Sequence, residues 1–161
     1  PTGYAHGLVW PLLVKYYGNM EFVSNYRIYH VNMPKVFRLS EQYLIRAEAR
    51  ANQKNYSGAS KDLSDLRRAR FQGGNGSISV SEQNWLEIIE EERVRELYME
   101  GFRLQDLKRW HKGFERKPQE QSLTNGSSLK IEADDVRFVW PIPKHELESP
   151  GSQIQPNESN K

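Results

Sequence analysis

The stretch EEERVRELYMEGFRLQDLKRWHK (Glu90–Lys112) sets six carboxylates, six Lys or Arg side chains and one histidine among the rings of Tyr98, Phe102 and Trp110. Such density has three physical readings: an active site, a nucleic-acid surface, or helices whose charges hold them in place. Spacing separates them. Glu92, Glu96 and Glu100 recur every four residues and share one helical face. Arg93, Arg95 and Arg103 fall within the same turns, where they would compete with a metal ion for the carboxylates. The pattern predicts a ladder of ion pairs, for example Glu91–Arg95 and Glu100–Arg103, on a helix from about Glu82 to Glu100. Gly101 suits its C-terminal cap, and a shorter helix follows over about Phe102 to Lys112.

Upstream, Tyr43, Leu44, Ala47 and Ala51 recur at helical spacing behind a cap at Ser40. Asn52 to Asn55 breaks the pattern. Ser57 recaps, and Ala59, Leu63, Leu66 and Arg70 form the stripe of a second helix. This pair has the spacing of one tetratricopeptide-type hairpin, with small Ala47 and Ala59 at the crossing and Tyr56 before the second helix. Gln72 to Val80 reads as a glycine-rich turn, with a capping box at Ser79 and Glu82. The first 35 residues are irregular and aromatic. Lys117 to Ser128 is polar loop, and Val136 to Ile142 is strand-like, running into a Pro-x-Pro element that extends the backbone. The tail from Pro150 is expected to be flexible. The fold expected is therefore mainly α: tetratricopeptide-like helical hairpins, an irregular aromatic N-terminal segment and a short extended C-terminal element. One domain spans 1–161, with its helical core over about 36–116.

Composition narrows function further. The net charge is +2, from 23 basic and 21 acidic residues, so no strong field draws nucleic acid or an anionic membrane. The basic run Lys108–Lys117 is balanced by Asp106 and Glu115 and reads as a solvated helix end. There are no cysteines, which removes disulfides, thiolate metal sites and thiol nucleophiles. No apolar run approaches the ~20 residues of a membrane span. No histidine has a glutamate three residues before it, as a di-iron bundle requires. No G-x-S-x-G elbow occurs, and Gly73–Gly76 lacks the Lys-Ser/Thr ending of a phosphate loop. No catalytic residue, metal site or cofactor is expected. Flat rings stack on sugar faces, so Trp10, Tyr16 and Tyr17 are the ligand-binding candidates, against the alternative that they pack between segments.

Three blocks then occur in order: VFRLSEQYLIRAEA (Val36–Ala49), ERVRELYMEGFRLQDLKRW (Glu92–Trp110) and FVWPIPKHEL (Phe138–Leu147). Together they resemble the C-terminal portion of the SusD/RagB family, the surface glycan-binding lipoproteins of Bacteroidetes. Glu92, Arg93, Glu96, Gly101, Arg103, Asp106, Trp110, Trp140, Pro141 and Pro143 form the structural signature within these blocks. None of them is a ligand motif. The resemblance implies a non-enzymatic protein, several times longer than this chain, at the cell surface. An N-terminal lipidated cysteine, absent here, would tether it to the outer membrane over a SusC-like TonB-dependent transporter, to which it would deliver oligosaccharides. The opening at Pro1 agrees with a piece of such a protein. A tetratricopeptide-like protein-interaction scaffold is the alternative function.

Overall fold

In the computed structural model the described residues are 2–5, 8–11, 15, 19, 21–22, 25, 31–32, 35–71, 73, 76–116 and 129–160, with the backbone alone for those up to residue 11. The chain divides into two compact units, Pro1–Leu39 and Ser40–Lys161. In the first, the aromatic segment expected to be irregular opens as a hairpin: β1 (Thr2–Ala5) pairs antiparallel with β2 (Leu8–Pro11), Gly3 opposite Trp10. Pro11 ends the second strand, where its missing N–H costs the ladder nothing.

The second unit carries the helices. Helix α1 (Leu39–Asn52) and helix α2 (Tyr56–Arg70) bury the small and aliphatic stripe expected of them: Leu44, Ala47, Ala59 and Leu63 are each 0% exposed. The caps differ from the expected ones. Helix α1 begins at Leu39, and Ser40 is buried in its first turn. Asn55, not Ser57, caps α2, its side-chain oxygen accepting the Gly58 N–H at 2.9 Å.

Helix α3 (Trp85–Glu96) starts five residues later than a Ser79–Glu82 capping box requires. The residues before it are held elsewhere. The N–H groups of Ile78 and Val80 donate to the hydroxyls of Ser64 (3.0 Å) and Ser60 (2.8 Å) on α2, which lays this segment along that helix and buries Val80. The Asn84 side chain closes the turn by accepting the Ser81 N–H. Gln72, Gly74 and Asn75 of the glycine-rich turn upstream and the polar loop 117–128 lie outside the described residues.

Helix α3 ends at Glu96, four residues short of the expected Glu100. Residues 97–101 make the corner into α4 (Arg103–Arg109), with Met99 at φ 61° and Gly101 at φ 84°. A left-handed backbone costs a side-chain-bearing residue about 1–2 kcal/mol, which is why glycine suits position 101. Leu44, Ala47, Ala51, Ala59, Leu63, Leu66, Val80, Ile89 and Leu97 form one core, with Trp85, Phe102 and Trp110 packed against it.

After α4, β3 (Phe114–Glu115) pairs antiparallel with β4 (Lys130–Ile131). A Cβ at Gly113 would lie 2.2 Å from the Ile131 carbonyl oxygen, so only glycine allows that approach. Val136–Phe138, expected as a strand, is a 3₁₀ turn. Asp135 caps it by accepting the Arg137 N–H at 2.9 Å, and Phe138 turns inward to 4% exposure. Extended backbone begins at Val139 and reaches Pro143, which precedes the short helix α5 (Lys144–Leu147). Pro141 and Pro143 supply no N–H, so this element cannot join a continuous ladder. A second 3₁₀ turn, Glu158–Asn160, lies in the tail.

Candidate functional site

The charged stretch 90–112 is an interhelical clamp. Its acids find most of their bases on other helices. On the first hairpin, buried Asp62 of α2 accepts Arg46 (2.8 and 3.1 Å) and Arg50 (2.8 Å) of α1. Glu92 of α3 is buried and accepts Arg67 of α2 at 2.9 Å, while Glu96 takes Arg70 of α2 in a two-point bond of 2.7 and 2.9 Å. Arg93 and Asp106 join α3 to α4 at 2.7 Å, and both side chains are nearly inaccessible. Asp106 also accepts Arg109 (3.0 Å), whose other nitrogens reach Glu48 on α1. The Trp110 Nε1 donates to the same Glu48 at 2.9 Å, and the Arg109 guanidinium lies 4.2 Å above the Trp110 ring. Glu90 accepts Arg103 (2.8 Å) and Lys112. The ladder rung expected within α3, Glu91–Arg95, is present at 2.7 Å.

These contacts account for six of the ten signature residues: Glu92, Arg93, Glu96, Arg103, Asp106 and Trp110. Gly101 makes the left-handed corner. Trp140, Pro141 and Pro143 stand apart on the extended element, and Trp140 is 80% exposed. The Trp10 side chain and all of Tyr16 and Tyr17 lie outside the described residues. Glu48, Asp62, Arg67 and Arg70 escaped notice as members of the clamp. Glu48 stands in the block RAEA between Ala47 and Ala49, but its partner lies 61 residues away.

The electrostatics agree with structural use. Burial would push the Glu48 carboxyl up, but the bonds from Arg109 and Trp110 outweigh it and hold the group below its ordinary 4.5. Burial acts the same way on Glu90, where Lys112 and Arg103 again win. Both groups bind their protons more weakly folded than unfolded, so their stabilisation is complete above about pH 4.5 and is lost as pH falls through the folded-state values. Thermal melts from pH 7 to pH 3 should therefore show stability dropping below pH 4.5. Glu48→Gln should lower the melting temperature at pH 7 yet flatten that acid slope. Parallel slopes for the two proteins would contradict the assignment.

At the corner between α3 and α4, Val94, Leu97, Tyr98, Met99, Phe102 and Leu104 line a groove of about 360 Å³. The polar groups at its edge, Arg93, Asp106 and Arg103, are engaged in the pairs above. Among the described residues no three His, Asp or Glu side chains are grouped to hold a metal ion, and no helix is long and apolar enough to cross a membrane.

Comparison with known proteins follows the same outline. The model of the SusD family matches residues 10–158. A crystal structure of a SusD superfamily protein from Bacteroides thetaiotaomicron VPI-5482, at 1.49 Å resolution, is similar at a TM-score of 0.65 and 33% sequence identity. That likeness covers 79% of this chain and 28% of the other, so the chain spans little more than a quarter of that protein's length. No curated protein matches the sequence.

Proposed function

The chain belongs to the SusD family, and on that premise we propose that it serves a non-enzymatic protein that binds oligosaccharides or similar nutrients at the cell surface. The protein would hand its ligand to a SusC-like TonB-dependent transporter in the outer membrane, to which a lipid anchor would tether it. The family match over residues 10–158 carries this reading. The ionisable groups of the signature support it from the side of chemistry. Glu92, Glu96 and Asp106 each accept bonds from arginines, an arrangement that fixes helices and leaves poor general acids or bases. Trp10, Tyr16 and Tyr17 are the rings proposed to stack on sugar.

Calorimetry with a panel of oligosaccharides, with the products chromatographed afterwards, tests the proposal. Binding without cleavage is expected, and Trp10→Ala should weaken it. Glycan cleavage abolished by Glu96→Gln would replace the binding reading with a catalytic one. The α1–α2 hairpin, closed over Ala47 and Ala59, favours a second reading as a protein-interaction scaffold. That reading predicts a protein partner and no response to any saccharide.

A further inference from the structure

The tail that composition marks as flexible carries three polar side chains in specific bonds to residues 136–142. Asn160 bonds Ile142 at two points: its Oδ1 accepts the Ile142 N–H at 3.0 Å and its Nδ2 donates to the Ile142 carbonyl at 2.8 Å. The same Oδ1 accepts the Asn157 N–H at 3.2 Å, which folds the tail turn around the contact. Asn157 Nδ2 donates to the Trp140 carbonyl at 2.9 Å. The Ser159 hydroxyl shares its hydrogen between the carbonyls of Val136 (2.7 Å) and Val139 (2.5 Å).

The primary structure explains this geometry. In Trp140-Pro141-Ile142-Pro143 the two prolines remove alternate donors, so beyond Trp140 only Ile142 offers both an N–H and a C=O. A neighbouring strand would find one residue to pair with. A single primary amide presents the same donor and acceptor as one peptide unit, so an asparagine side chain can complete Ile142 where a strand cannot run. We propose that Asn157–Asn160 is a strap that stands in for a β-strand along residues 136–142. It fixes the backbone on both sides of Pro141, so that the exposed Trp140 ring is carried on a rigid mount. The tail is thereby a positioning element for the Trp140 surface.

Amide hydrogen–deuterium exchange on the whole chain reads the strap directly, because exchange at Ile142 requires the Asn160 bond to open. Asn160→Ala should speed exchange of the Ile142 and Asn157 amides by about tenfold, the effect of one lost hydrogen bond, and leave the Leu63 amide of the core unchanged. Glu158→Ala, which removes no strap contact, should leave all three amides as in the unaltered chain. An Ile142 amide equally protected in Asn160→Ala would overturn the proposal. So would acceleration at Leu63 equal to that at Ile142, since the contact would then act on the whole unit.

Discussion

Replacing Asp106 with alanine is expected to cost about 3–5 kcal/mol of stability, read from urea denaturation of the chain. Asp106 receives Arg93 from α3 and Arg109 from within α4, and its own exposure is 4%. Arg109 keeps Glu48 and open solvent on one side, so it loses little. Arg93 is 6% exposed and loses its carboxylate. A guanidinium cannot escape the low-dielectric interior by giving up its proton, so the cation stays buried with only the charge of Glu48, to which it is not bonded, left near it. The Phe102 ring, 5.9 Å from the Arg93 guanidinium carbon, returns only a fraction as a cation–π contact. The reverse variant, Arg93→Ala, should cost less, because Asp106 still holds Arg109. A cost below about 1 kcal/mol for Asp106→Ala would make the pair equivalent to an exposed one.

Trp110→Ala is expected to cost about 3–5 kcal/mol, the range for deleting a packed tryptophan. Its ring packs against the core of the second unit, its Nε1 satisfies Glu48, and Arg109 lies on its face. Two further variants divide the effect. Trp110→Phe keeps much of the packing but removes the donor to a charged carboxylate, and should cost about 1.5–3 kcal/mol. Trp110→Phe with Glu48→Gln together should cost less than the sum of the two, because they share that bond. If Trp110→Ala instead costs below about 1 kcal/mol, the ring is a surface group open to ligand.

The parts of the fold legible in sequence are those written as a period. Leu44, Ala47, Ala51, Ala59 and Leu63 announce the first hairpin because burial on one helical face repeats every three or four residues. The three ordered blocks announced the family. The partners of the charges were not legible, because periodicity assigns a side chain to a face and says nothing of what faces it. Glu92 does pair one turn away, with Arg95, but it also takes the half-buried Arg67, which is 25 residues distant. Arg109 and Glu48 lie farther apart still. The caps at Ser57 and Ser79 were plausible locally, but the Asn55 oxygen caps α2, and the Asn84 oxygen closes the turn before α3 by accepting the Ser81 N–H rather than capping the helix. Val136–Phe138 has strand composition, and the Asp135 side chain overrode it by drawing in the Arg137 N–H. Asn157, Ser159 and Asn160 looked like solvated tail because polar composition alone does not reveal a side chain substituting for a peptide group. For the ligand candidates, Trp10, Tyr16 and Tyr17, sequence remains the sole source.

The charge density of residues 90–112 holds helices together. A double-mutant cycle across Arg93→Ala and Asp106→Ala, measured by urea denaturation, tests it most directly. A coupling energy of about 1–3 kcal/mol is expected, with the double variant less damaged than the sum of the two single ones. Costs that simply add, to within about 0.3 kcal/mol, would contradict it.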